Sequence, residues 1–404
     1  MDDSTSRIYL SSPHMGGKEL DYIHDAFKKN WIAPLGENVD QFEKNLQDYT
    51  GRSHAAVVTS GTAAMHLGLI LCGLQAGDEV ICQSLTFAAT ANPIRYQGAT
   101  PIFIDSEPET WNMDPQLLEH AILDRMEKNG ETAGKPKAII VVHLYGMPAK
   151  VDDILKVARK FDIPVIEDAA EALGSSAGGK RCGNFGELSV LSFNGNKIIT
   201  TSGGGALLGD QKELISKARF LATQARDKAP HYQHSELGYN YRMSNIVAGI
   251  GRGQIKVLDE HIAARRSNHD YYFEQLNGNW LDSDSAETGQ GIGFKARMAT
   301  SGIYFLKEPE GHFSNRWLTT VLVNPQETGG VTREDIRQAL EEENIECRPL
   351  WKPMHMQPLY SDFPYYGNGI SDKLFECGLC LPSGSNLSSS DRQRIVSVIH
   401  DLLD

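Results

Sequence analysis

Between Ala55 and Gly209 short apolar runs alternate with stretches whose hydrophobic positions recur every three or four residues. The runs Ala55–Val58, Glu79–Cys82, Thr100–Ile104, Ala138–Val142, Pro164–Ile166, Leu188–Leu191 and Gly205–Leu208 are nearly continuous rather than alternating. That pattern predicts strands buried on both faces, with crossover helices between them. The result is a set of βαβ units and a mostly parallel sheet. The last two runs are separated by a Gly/Thr/Ser-rich turn too short for a crossover helix, so Gly205–Leu208 is expected to join antiparallel. The expected fold is α/β, a large domain with a mixed, mostly parallel, seven-stranded sheet between helices.

From Ser244 to Phe273 a charged helical pattern reads as an arm between lobes. Beyond it Trp317–Val323 alternates as a strand does. Thr332, followed by Glu334 and Asp335, has the N-cap and acidic first turn of a helix. Residues 1–250 are therefore expected to form the large domain with its N-terminal arm. Residues 251–404 are expected to form the interdomain helix and a smaller α+β C-terminal domain. A chain of 404 residues is long enough for one large core and a second, smaller one. The Ser-, Gly- and acid-rich stretch Asp282–Gly293 is expected to be an exposed loop.

A net charge of −13, with no basic run, excludes a nucleic-acid scaffold, so any anionic ligand must be held by local donors. No apolar stretch approaches the roughly 20 residues needed to cross a bilayer. Met1-Asp2-Asp3-Ser4 lacks a basic leader, and the six cysteines are too scattered for a disulfide framework. The chain is expected to be cytoplasmic, with reduced thiols. Cys377 and Cys380 have the spacing of half a zinc site, but no second pair accompanies them, and no metal is expected.

Against this frame, an amine and a carboxylate each stand where an apolar run ends. Lys197 follows Leu188–Leu191 and precedes the turn Thr200–Gly205; Asp168 closes Val165-Ile166-Glu167. Pyridoxal 5'-phosphate asks a protein for this pair, an amine for the Schiff base and a carboxylate to keep the pyridine nitrogen protonated. Asp168 has a second reading, as the cap of the helix that follows. Ser60-Gly61-Thr62 opens a helix after a strand, either as a phosphate site on the N–H groups or as an ordinary cap with Thr62 satisfying the first turn. Phe87 either lies over a planar ring or fills the core. Ala170 would offer a methyl to the opposite ring face, and the Ser192 hydroxyl is available for a phosphate. Thr62, Phe87, His143, Asp168 and Ser192 all fall at the carboxyl ends of strand candidates, where ligands of open α/β sheets bind.

With these residues in order, the chain resembles the DegT/DnrJ/StrS family of pyridoxal-phosphate-dependent nucleotide-sugar aminotransferases, of fold type I. The resemblance extends from Asn30–Gly36 through Ser60-Gly61-Thr62, His143–Gly146, Glu167–Gly174, Ser192-Phe193, Lys197 and Gly238–Met243 to Cys380–Ser383. It implies that Lys197 carries the cofactor and then moves a proton, while Asp168 pairs with the pyridine nitrogen. Phe87 and Ala170 would flank the ring, and Gly61, Thr62 and Ser192 would hold the phosphate. Asn240 would reach the phosphate of a neighbouring subunit, giving a homodimer with shared sites. Arg242 would face the anionic substrate, with Trp31 and His355 at its mouth. Glu171 departs from the Gln or His often found near the cofactor's phenolic oxygen, so it is either protonated or points elsewhere. The implied reaction moves an amino group from L-glutamate to a keto nucleotide sugar. The resemblance is to enzymes making bacillosamine-type sugars, hence C4 of a UDP-linked 2-acetamido-2,6-dideoxy-4-keto-hexose. The rival readings are C3 amination of a 3-keto nucleotide sugar and dehydration on the same fold. One dehydratase group carries His in place of the lysine, and the other needs a cysteine cluster for iron and sulfur.

Overall fold

The computed structural model describes residues 6–129, 134–281 and 301–403. Each of the seven apolar runs is a strand: β1 (His54–Val58), β2 (Glu79–Gln83), β3 (Thr100–Ile104), β4 (Ala138–Val142), β5 (Val165–Asp168), β6 (Leu188–Ser192) and β7 (Gly205–Gly209). Their order is β1-β7-β6-β5-β4-β2-β3. Only β7 runs against its neighbours, pairing antiparallel with both β1 and β6 as its short approach requires. The sheet has eight strands rather than seven. Tyr365–Tyr366, from far along the chain, adds parallel to β3, with Tyr365 opposite Phe103.

The helices α1 (Glu19–Lys28), α2 (Glu37–Thr50), α3 (Gly61–Leu71), α4 (Ala88–Tyr96), α5 (Pro115–Asn129), α6 (Val151–Lys160) and α7 (Lys212–Ala222) surround this sheet. Residues of β4 alternate between two separate cores: Ile140 joins a cluster with Met65 and Leu67 of α3, Ile139 a cluster with Ala158 of α6. Burial on both faces explains why the strands read as unbroken apolar runs.

The stretch expected to be an arm contains two helices, α8 (Asn245–Gln254) and α9 (Leu258–Gln275), joined by the 3-10 turn Ile255–Val257. The smaller sheet is built on β8 (Ile303–Phe305), β9 (Thr319–Val323) and β10 (Gly378–Leu381), with β9 antiparallel to both others. Among the described residues three more helices belong to this lobe: α10 (Arg333–Glu342), α11 (Ile370–Cys377) and α12 (Ser389–Leu403). Thr332 caps α10 through a reciprocal pair with Asp335. The chain crosses between lobes at both ends. Ile8 pairs with Ile345 and packs in the core of the smaller lobe, while Tyr365–Tyr366 returns to the large sheet. Asp105, just after β3, accepts N–H groups of Asn368, Gly369, Ile370 and Ser371 at 2.8–3.0 Å and so anchors the start of α11. The stretch Asp282–Gly293 lies outside the described residues. All six cysteines are free, with Cys380 buried in β10.

Candidate active site

The N-terminus of α3 faces the ends of β5 and β6 across a cavity of about 300 Å³, whose lining includes Gly61, Thr62, Phe87, Asp168, Ala170, Glu171, Ser192 and Lys197. Ser60 caps α3: its hydroxyl accepts the Ala63 N–H at 3.0 Å. The cap is therefore Ser60, and Thr62 lines the cavity instead. The N–H groups of Gly61 and Thr62 precede the first intrahelical bond, at the positive end of the helix dipole. Close approach is enforced by glycine. A Cβ at Gly205 would fall 2.4 Å from the Gly61 nitrogen, and one at Gly61 would fall 3.0 Å from the Ser192 Cβ.

Asp168, at the mouth of β5, is buried, and burial pushes its carboxyl up from the ordinary range. Its Oδ2 accepts the Thr90 hydroxyl at 2.8 Å, and its Oδ1 the Ala170 N–H at 3.2 Å. Thr90 is itself bonded to Thr86 at 2.8 Å, so the carboxylate is oriented by the first turn of α4 and the loop before it. Lys197 places its Nζ 3.4 Å from Glu171 Oε1 and 4.1 Å from the centre of the Trp317 ring. Glu171 also accepts the Tyr145 N–H at 2.7 Å on Oε2. It points into the cavity, and burial raises its carboxyl to about 7.

Two tryptophans complete the wall. Trp317, two residues before β9, gives its indole N–H to the Asn196 carbonyl at 2.7 Å. Trp351 packs on Phe87 and Tyr145, with ring centres 5.4 and 5.0 Å apart. Sequence reasoning missed both, because they arrive from the smaller lobe and no local motif marks them.

The profile of the DegT/DnrJ/EryC1/StrS aminotransferase family matches residues 13–400. The chain belongs to that family. It is 49% identical, over 97% of its own length and 95% of the relative's, to EpsN of Bacillus subtilis (strain 168), a protein named as a pyridoxal phosphate-dependent aminotransferase. It is 36% identical to the GDP-perosamine synthase of Caulobacter vibrioides, over 98% of each chain. A Campylobacter jejuni UDP-4-amino-4,6-dideoxy-N-acetyl-beta-L-altrosamine transaminase is 37% identical over 67% of this chain and 70% of its own. The crystal structure of a family aminotransferase from Brucella abortus superposes with a TM-score of 0.82 at 27% identity, covering 95% of each chain. The fold is thus that of the fold type I aminotransferases, and the family works with pyridoxal phosphate.

The residues present suit this cofactor: a helix N-terminus and the Ser192 hydroxyl for a phosphate, a buried carboxylate for a protonated ring nitrogen, an amine opposite, and aromatic walls. Other expected site residues lie elsewhere. Arg242 gives its guanidinium to Glu43 at 2.8 Å and the Val57 carbonyl at 3.1 Å, outside the cavity lining. His355 bonds Ser84 at 2.7 Å, pairs with Asp372 at 2.9 Å and stacks on Tyr365, bridging the lobes rather than lining the cavity. Trp31 is exposed and Asn240 is exposed, both away from this chain's own cavity. His143 is buried against Glu167 at 2.9 Å, in a network that also gathers the N–H groups of Gly183 and Phe185. Among the described residues no helix is long and apolar enough to cross a membrane.

Proposed function

We propose that this aminotransferase moves the amino group of L-glutamate to C4 of a UDP-linked 2-acetamido-2,6-dideoxy-4-keto-hexose. The observation that carries the reading is the placing of Lys197 and Asp168 on one buried cavity with the glycine-tightened start of α3. Pyridoxal phosphate supplies a carbonyl that takes up amino groups and a protonated ring that withdraws electrons. Lys197 holds it covalently and then carries a proton at Nζ. Asp168, fixed by Thr90 and the Ala170 N–H, holds the proton on the ring nitrogen. Gly61, Thr62 and Ser192 bind the phosphate, and Phe87 and Ala170 enclose the ring. Arg242 and His355, engaged by Glu43 and Asp372, are left out of this assignment, as is the exposed Trp31.

The second subunit is part of the proposal. Leu20, Phe27, Ile32, Leu35, Tyr232 and Leu237 are large apolar residues exposed on one chain, more than an isolated subunit readily leaves in water. Asn240 follows Leu237 closely, and in a homodimer it would reach the neighbouring site. The free thiols fit a cytoplasmic enzyme.

Support for C4 and for UDP comes from the Campylobacter relative, whose name places the new amino group at C4 of an N-acetylated UDP-sugar. The perosamine synthase, similar over nearly the whole chain, favours a GDP-linked sugar as the second reading. The test is incubation with L-glutamate and a panel of UDP- and GDP-linked 4-keto and 3-keto sugars, with products weighed by mass spectrometry. The highest kcat/KM should belong to the UDP-linked 4-keto acetamido sugar. A 3-keto or GDP-linked sugar turned over far better would overturn the position or the nucleotide. Loss of a hydroxyl in place of gain of an amino group would overturn transamination.

A further inference from the structure

Glu171 is a second acid group in the cavity, and the roles above leave it unused. Its two oxygens have different partners: the Tyr145 N–H fixes Oε2, which leaves Oε1 turned to Lys197. Its surroundings are rigid. Tyr145 is held in the left-handed region at φ 54°, and Asn315 donates to the carbonyls of Glu171 and Leu173 at 2.9 Å. Both side chains of the pair are largely buried, Glu171 4% and Lys197 10% exposed.

We propose that Glu171 is a catalytic residue that takes a proton from Lys197 within the cavity and returns it, a role that rests on Lys197 being the reacting amine. The N–H bond at Nζ breaks, nitrogen keeps the electron pair, and an O–H bond forms at Oε1. Ammonium and carboxylate become amine and carboxylic acid, so the pair carries no net charge before or after. Attraction favours the charged form and burial the neutral one. Burial, set against the pull of Lys197 and the Tyr145 N–H, raises the Glu171 carboxyl to about 7. Asp168 adds a further upward push. The Tyr145 phenol and Cys380 thiol, also facing this group, are pushed up by burial and stay neutral at that pH. A free amine at Lys197 is thereby produced without sending a proton to solvent.

Glu171→Gln tests this, because a glutamine still accepts the Tyr145 N–H but cannot take a proton. In single turnovers with glutamate the variant should lose about 10²-fold in rate at neutral pH, in line with general acid–base catalysis, with KM little changed. The native rate should fall on the acid side of about pH 7, where Glu171 is filled by a proton and Lys197 has no acceptor. In Glu171→Gln that limb should vanish, and the rate should climb toward alkaline pH. Glu171→Asp should keep the limb at reduced rate. Infrared difference spectra of the loaded protein titrated through neutral pH should show one carboxylic-acid carbonyl band that Glu171→Gln lacks. A Glu171→Gln enzyme with the native rate and acid limb, or with the band intact, would overturn the proposal. Turnover by Lys197→Ala would instead overturn the reading of Lys197 on which it stands.

Discussion

Gly205→Ala places one methyl group where β7 meets the start of α3, and its effect can be read from distances. The new Cβ would lie 2.4 Å from the Gly61 nitrogen and the Ser60 carbonyl carbon, and 2.5 Å from the Ser60 oxygen. All three are backbone atoms, so no side chain can swing away. The backbones must part by about 1 Å to reach ordinary contact. The strain of such overpacking is about 1–3 kcal/mol, and here it falls on the N–H groups assigned to the phosphate. Cofactor retention should weaken by about tenfold to a hundredfold, each tenfold corresponding to about 1.4 kcal/mol. The assay is equilibrium titration by visible absorbance, with pyridoxal phosphate and with pyridoxal lacking the phosphate. The variant should lose most of the preference for the phosphorylated form while binding pyridoxal nearly as the native chain does. An unchanged ratio between the two would refute the placing of the phosphate at α3.

Asp105→Asn should loosen the start of α11. Burial pushes the Asp105 carboxyl up, but hydrogen bonds from the Ser371 side chain and the backbone outweigh it and hold the group below its usual range. Its contribution is therefore complete above the ordinary aspartate pKa of about 3.9 and is lost as the pH falls through the lower folded value. Denaturant unfolding should show a deficit of about 1.5–3 kcal/mol at pH 7 that shrinks below about pH 4. A deficit independent of pH would contradict it. Mixed Lys197→Ala and Asn240→Ala subunits, each inactive alone, should regain activity in heterodimers that hold one intact site. Exchange of subunits with no return of activity would exclude a shared site.

The large sheet was legible because strands buried on both faces leave unbroken apolar runs, and the short Gly-rich approach to β7 allowed only an antiparallel entry. The eighth strand was not, since Tyr365–Tyr366 is two residues long and its partner Phe103 lies far back in the chain. Nor was the break between α8 and α9, since Ile255-Lys256-Val257, which forms the 3-10 turn, contains no proline or glycine to mark it. Asp168, Lys197 and the start of α3 could be read as a site because each follows a strand end. Arg242 and His355 lie outside the cavity because Glu43 and Asp372, distant in sequence, hold them. Trp317 and Trp351 reach the cavity only once the lobes are folded together, a relation that no local spacing encodes.

The central claim is that Lys197 is the residue to which the cofactor is joined. Borohydride reduction of the pyridoxal-phosphate-loaded protein, followed by digestion and peptide mass spectrometry, tests it directly. The added mass should fall on Lys197 alone and be absent from Lys197→Ala. A stable label on a different lysine, or one that survives in Lys197→Ala, would contradict the account.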